Sequence, residues 1–336
     1  RHEQDACRNA IPIYLFLFTV SDYDSIDRSA TFALPALGSA GEPALASLPA
    51  KAWPPSATRF LSVVQPGAKV RFGITTQFVD GDDEAAMAAA LPGASLLYLE
   101  SPSSWVMSEQ NLRQLATLAR DAGVVTLIDN SWASPIFQQP LLCGIDIVVH
   151  SASKYISGHS DVVAGLVIAS HQHINNIARH ISPFLGGKLS ANEASLLMRG
   201  LRTLPLRMKQ HQHSALQLAE KLRDHPQVSA VCHPGLNPPT WSTLRGYSGL
   251  FSFAVTEQVD IPQFCNALQL FHMGVSWGGF ESLVMPAISV INQASEFNSA
   301  QDFGVSPRLI RISVGLEETD DLWTDLNQAL AAATHR

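Results

Sequence analysis

His150-Ser151-Ala152-Ser153-Lys154-Tyr155-Ile156-Ser157-Gly158-His159 follows the apolar run Ile145-Asp146-Ile147-Val148-Val149. A short apolar run bounded by polar residues reads as a buried strand, and the ten residues after it as the loop leaving its carboxyl end. Ser95-Leu96-Leu97-Tyr98-Leu99-Glu100, Val124-Val125-Thr126-Leu127-Ile128 before Asp129, and Ala164-Gly165-Leu166-Val167-Ile168-Ala169 read the same way. Residues 84–91 are helix-like, and residues 108–122 carry an amphipathic helical pattern closed by Gly123. Continuous apolar strands alternating with helices predict an α/β fold with a mostly parallel sheet covered on both faces. The polar residues cluster at strand carboxyl ends, where open α/β sheets bind ligands.

Outward from this core, residues 190–224 read as a long helical stretch interrupted near Pro205. After Gln227 the strand signals at 228–232, 250–255 and 309–314 alternate with helix signals at 261–270 and 319–332. A smaller α/β domain is expected there, with the boundary near residue 225. Residues 1–80 carry weak signals, with dense proline and alanine between Leu34 and Pro55. The expected division is 1–80 as an incomplete N-terminal segment, 81–225 as the large domain and 226–336 as the small one.

The 336 residues carry a net charge of −7 at pH 7 and are 46% hydrophobic. That balance excludes nucleic-acid binding by bulk positive charge and permits substantial cores. Four scattered cysteines (Cys7, Cys143, Cys232, Cys265) make no disulfide framework and suggest reduced cytoplasm. Residues 11–20 faintly resemble a signal-peptide core, but Glu3 and Asp5 spoil the basic region before it, so a buried extended segment is expected. His171/His173 and His211/His213 stand two apart and share no helix face, so no metal site is expected.

Lys154 carries the chemistry. A lysine at a strand end is ordinarily a solvated cation. Ser151, Ser153, Ser157 and Gly158 around it can instead admit and hydrogen-bond a phosphate, as a Schiff-base lysine requires. Asp129, twenty-five positions upstream, closes a buried strand. Its plain reading is a helix cap; as a carboxylate beside a pyridine nitrogen it would keep that nitrogen protonated. Together they point to pyridoxal phosphate (PLP), an electron sink that needs both groups. Arg311 stands inside an apolar strand, where an arginine is costly unless paired. It reads either as a clamp on a substrate carboxylate or as one half of an internal salt bridge with Glu317. Ser276-Trp277-Gly278-Gly279-Phe280-Glu281 reads as a tight turn with a packed tryptophan or as a pocket wall beside Lys154.

Leu127-Ile128-Asp129-Asn130-Ser131-Trp132 with Ser151-Ala152-Ser153-Lys154-Tyr155-Ile156-Ser157-Gly158-His159-Ser160-Asp161 resembles the signature of the Cys/Met-metabolism (trans-sulfuration) PLP enzymes. So do Leu99-Glu100-Ser101-Pro102-Ser103-Ser104, residues 200–208 and residues 311–317, covering roughly 80–333 in order. Trp277 and Ser104, which stands where many relatives have asparagine, resemble the bacterial cystathionine β-lyase branch. The resemblance implies the PLP-dependent transferase-like fold type I and a cytoplasmic homotetramer with active sites shared between subunits. It implies Lys154 as Schiff-base lysine and acid/base, Asp129 on the ring nitrogen, and Ser151 and Ser153 near the phosphate. Arg311 would hold the substrate carboxylate, with Ser276, Trp277 and Ser104 beside the substrate. The implied reaction is α,β-elimination of cystathionine or cysteine conjugates to a thiol such as homocysteine, with pyruvate and ammonia, as in methionine biosynthesis. A γ-synthase or γ-lyase reaction is the alternative.

The N-terminal quarter departs from the family pattern. A Tyr-x-Arg is expected where Arg28-Ser29 runs into Ala30, a Ser-Gly-x-x-Ala loop where Pro55-Ser56-Ala57-Thr58 stands, and a stacking tyrosine where Lys69-Val70 meets Arg71. All three shortfalls fall on cofactor contacts. Either short ligand loops are missing from a sequence joined across them, or the gene lacks them and encodes a degenerate, non-catalytic homologue.

Overall fold

The computed structural model describes residues 77–79, 81, 83–185, 189–293, 298–302 and 304–334. The shortfalls expected near residues 28, 53–58 and 68–70, and the apolar segment 11–20, lie outside the described residues.

The N-terminal half of the described chain is built on a sheet ordered β1 (Leu96–Glu100), β2 (Val125–Asp129), β3 (Ile147–Ser151), β4 (Gly165–Ala169). β1, β2 and β3 are parallel; β4 runs antiparallel to β3. Parallel strands need helical crossovers, and these bury the sheet faces. Helix α1 (Glu84–Ala90) precedes β1, capped by the Asp83 side chain, which accepts the Ala86 N–H at 2.8 Å. α2 (Leu112–Asp121) joins β1 to β2 and buries Leu112, Leu115, Ala116 and Ala119, the i, i+3, i+4, i+7 stripe of an amphipathic helix. It begins four residues later than the sequence pattern predicts. Asn111 takes the cap, and Ser103–Ser108 close a separate turn through an Oγ–Oγ contact of 2.9 Å.

Strand register sets the site. Glu100 pairs with Asp129 at the carboxyl ends of β1 and β2, and Ser151 ends β3 opposite Gly165. Two carboxylates and the start of the lysine loop therefore share one sheet edge.

α3 (His171–His180) follows β4, and α4 (Ala191–Arg223) follows that. A capping box between Ser190 and Glu193 starts α4. The helix runs unbroken through Pro205, against the expected interruption. Pro205 is solvent-exposed, while Leu204, Arg207 and Met208 on the opposite side are buried. Tertiary packing there offsets the ~3 kcal/mol that an interior proline costs.

A second sheet follows, ordered β5 (Val228–Cys232), β6 (Leu250–Val255), β9 (Leu309–Ser313), β8 (Leu283–Pro286), β7 (His272–Met273). Only the β7–β8 pair is parallel. α5 (Ile261–Ala267) and α6 (Thr319–Ala332) pack with it, burying Phe251, Phe253, Phe264, Leu322 and Leu326. α5 stops three residues short of the expected Leu270. The Asp325 carboxylate takes the N–H groups of Gln269, Leu270 and Phe271 and turns the chain there.

Candidate active site

The lysine loop leaves β3 as a series of tight turns. The Lys154 N–H donates to the Ser151 carbonyl at 3.1 Å, Ser157 N–H to Ala152 at 2.9 Å, and Gly158 N–H to Lys154 at 2.8 Å. Buried Arg207, from α4, fastens this loop. Its guanidinium donates to the Tyr155 carbonyl at 2.7 Å, to Gly200 at 2.8 Å and to Ile156 at 3.4 Å. Tyr155, fully buried, accepts the Gly249 N–H on its phenol oxygen at 2.9 Å, and burial pushes that phenol up to about 12. Lys154 is thus held by two elements distant in sequence.

Lys154 Nζ donates to Ser276 Oγ at 3.0 Å and lies 5.2 Å from the centre of the Trp277 ring. Trp277 in turn packs on Tyr155 at 5.6 Å. Gly278 makes this approach possible: φ is +81°, and a Cβ there would stand 2.9 Å from the Tyr155 nitrogen and 3.1 Å from Lys154 Cβ. The glycine-rich loop does stand beside Lys154. Glu281 ties it to the lysine loop by accepting the Ser160 hydroxyl at 2.5 Å.

Asp129 Oδ1 accepts the Ser131 N–H at 2.8 Å and the Ser131 hydroxyl at 2.5 Å. This is an Asx-turn rather than a helix cap; the helical turn at Ser134–Phe137 has no side-chain cap. Burial raises the Asp129 carboxyl above its ordinary value, while the Ser131 hydrogen bonds and the Lys154 charge oppose that rise. Asp129 lines a small cleft with Glu100, Ser103, Ser104, Trp132 and Trp277 among its walls. Ser104 donates to Glu100 at 3.0 Å within the cleft.

Two of the sequence-expected residues behave differently. Ser153 does not present a free hydroxyl: it donates to the Ala164 carbonyl at 3.2 Å and accepts the Ala164 N–H at 2.8 Å. Arg311 does not line the cleft. It donates to the Val275 carbonyl at 2.6 Å and lies 5.3 Å over the Trp105 ring, reaching the glycine-rich loop from behind. The salt bridge with Glu317 is not formed. Glu317 instead accepts the Ser282 N–H and hydroxyl, each at 2.8 Å. Burial lowers the Arg311 guanidinium to about 10, with Glu100 pulling it back, so it stays cationic at neutral pH. The turn beneath it is strained: buried Trp105 and Met107 hold φ of +65° and +54°.

Ser131, Arg207 and Glu100 are the site residues that sequence reasoning assigned no role. Ser131, two positions after Asp129, carried the Asx-turn signal; Arg207 reaches the site through the Tyr155 and Ile156 carbonyls, far from it in sequence, and Glu100 through its pairing with Asp129 across the strands.

An unsatisfied polar atom bears on whether the site suits a PLP-like group. Ser151 Oγ is buried and makes no hydrogen bond among the described residues, which suits a hydroxyl awaiting an anionic oxygen. Asp129 at one side of the cleft and the Lys154 amine at the loop suit the ring nitrogen and the carbonyl end. The residues fit on these counts.

Residues 57–331 match the family model described as Cys/Met metabolism PLP-dependent enzyme. The chain is 38% identical over 270 residues to an L-methionine γ-lyase of Pseudomonas putida, covering 78% of this chain and 68% of that one. It is 34% identical over 239 residues to a cystathionine β-lyase of Lactococcus lactis, covering 70% and 63%. A solved cystathionine γ-lyase from Micromonospora echinospora superposes with a TM-score of 0.80 at 28% identity, over 94% of this chain and 81% of that one.

Proposed function

The chain belongs to the Cys/Met metabolism PLP-dependent enzymes, and from that premise we propose that it is a carbon–sulfur lyase acting by α,β-elimination on cystathionine or cysteine conjugates. The observation that carries the proposal is the meeting of Lys154, Ser276 and Trp277 at the loop beside the Asp129 cleft.

Lys154 and Asp129 would hold the cofactor, with Ser151 toward its phosphate. When bound, PLP supplies an electron sink for charge developing at the substrate Cα. Lys154, steadied by the Ser276 hydroxyl, takes the Cα proton as general base. Asp129 keeps negative charge where the ring nitrogen must stay protonated. Arg311, cationic and buried behind the glycine-rich loop, would reach a substrate carboxylate only by exchanging its bond to the Val275 carbonyl for one to the substrate. Trp277 packs its ring against the Lys154 amine and so helps to place it.

A γ-lyase or γ-synthase reaction is the second reading, favoured by the methionine and cystathionine γ-lyases among the relatives. Incubation with cystathionine separates them: homocysteine with pyruvate is β-elimination, and cysteine with 2-oxobutyrate is γ-elimination. A cytoplasmic homotetramer completing the phosphate side from a neighbouring subunit belongs to the same proposal, and light scattering checks the assembly. The first test is the visible spectrum of the protein with PLP, before and after Lys154→Ala. A band lost in the variant supports the enzyme. No band at saturating PLP overturns it in favour of a degenerate homologue.

A further inference from the structure

The Ser131 hydroxyl does more than close a turn. The backbone N–H of Ser131 already makes the Asx-turn to Asp129 Oδ1 at 2.8 Å. The hydroxyl adds a second bond to the same oxygen at 2.5 Å and also takes the Ser151 N–H at 2.5 Å. Ser131 is buried and lines the cleft beside Asp129.

With Asp129 ionised, proton counting fixes the direction of this chain. A backbone N–H can only donate, so the Ser131 oxygen accepts from Ser151. The hydroxyl has one proton, and it goes to Asp129. Asp129 Oδ1 then receives two donors and has no place for a proton of its own. Any proton the carboxyl carries or shares sits on Oδ2, the oxygen left for a group in the cleft.

We propose that Ser131 is a positioning residue that reserves Asp129 Oδ2 for a ring nitrogen in the cleft and couples that carboxylate to Ser151, where the lysine loop begins. The proposal rests on the PLP reading for the identity of the ring. Its physical content, control of the Asp129 proton by a hydroxyl, concerns this chain alone. Hydrogen bonds to the charged form favour that form, so the relay also opposes the effect of burial on Asp129. Displacement of the Ser151 strand end would reach Asp129 through one hydroxyl.

The test compares Ser131→Thr with Ser131→Val, which are nearly equal in shape and differ in the hydroxyl. Carboxyl-carbon NMR of the PLP-free protein reads the Asp129 titration directly. The expected result is a wild-type midpoint in Ser131→Thr and a midpoint about one pKa unit higher in Ser131→Val, a tenfold shift. PLP affinity should then weaken below a correspondingly higher pH in Ser131→Val and follow wild type in Ser131→Thr. Equal Asp129 midpoints in the two variants overturn the relay. A normal wild-type titration in a protein that binds no PLP overturns the cofactor reading instead, and with it the purpose assigned to the relay. Should Ser131→Val fail to fold, Ser131→Cys, with a weak donor, replaces it; a wild-type midpoint there overturns the proposal.

Discussion

Gly158→Ala should be among the most damaging small substitutions in the molecule, and the cause can be isolated. Gly158 holds φ of +68°, where an alanine costs about 1–2 kcal/mol. Its added Cβ would also stand 2.0 Å from Arg207 Nη1 and 2.4 Å from Cζ. An exposed arginine would swing aside. This one is buried and donates to three backbone carbonyls, two of them in the lysine loop. Displacing it forfeits at least one charge-assisted hydrogen bond, about 1.5–3 kcal/mol, for a total of about 2.5–5 kcal/mol. Gly123 is the control: φ is +69°, and nothing stands within 4 Å of a Cβ there. Gly123→Ala should cost only the backbone share, about 1–2 kcal/mol. Equilibrium urea unfolding measures both, read as midpoint shifts at constant m. In an Arg207→Ala background the clash partner is gone, so adding Gly158→Ala should cost no more than the Gly123 control. Equal costs for the two glycine variants in the wild-type background would refute the reasoning.

Three further outcomes follow from the same geometry. Asp129→Asn should leave urea stability unchanged or raised, because it removes a half-buried charge from a desolvated cleft, while lowering turnover roughly hundredfold; a protein that loses stability and activity together would contradict it. Arg311→Met should raise KM about ten- to hundredfold with a smaller change in kcat. A loss confined to kcat would remove Arg311 from carboxylate binding. His150, His211 and His233 are buried and each is lowered by burial to about 4. Between pH 6.5 and 4 the unfolded chain binds protons that the native one refuses, so stability falls on acidification, by about 2 kcal/mol per histidine from pH 7 to 5. His211→Gln should flatten that fall in unfolding curves at the two pH values, and an unchanged slope would dismiss His211 as a contributor.

What could be read from the sequence was what is local. β5, β6 and α6 have the bounds that their apolar patterns give; the two strands end where His233 and Thr256 break the apolar run. Lys154, Asp129 and Trp277 stood out because their neighbours are unusual for surface residues. Pro205 misled because the burial of Leu204, Arg207 and Met208 outweighs a local rule. The start of α2 misled because Ser108 is consumed by its contact with Ser103, leaving the cap to Asn111. Arg207 stood in the family stretch 200–208 without a role for a different reason: apart from Thr203 one turn away, its partners are backbone carbonyls 7 to 52 positions distant, and carbonyls leave no mark on a sequence.

These long-range contacts change where the site's stability resides. Lys154 belongs to the first sheet, but the hydroxyl that steadies its amine belongs to the β7–β8 connection of the second. That connection is held from its own side by Gly278 N–H on Ser313 Oγ at 3.2 Å, Glu317 on Ser282, and Arg311 on Val275. Arg311 therefore bears on Lys154 even without touching it. Its guanidinium fixes the residue next to Ser276, so substituting it moves the lysine's partner as well as any carboxylate it holds. A cost shared between KM and kcat at Arg311, relieved in KM alone by a substrate lacking the carboxylate, would separate the two contributions. The same logic makes Glu317 a support of the site rather than the salt-bridge partner its sequence position suggests. Its carboxylate acts on Ser282, whose hydroxyl in turn accepts the Gly315 N–H at 2.9 Å, closing the end of β9 against the loop that faces Lys154.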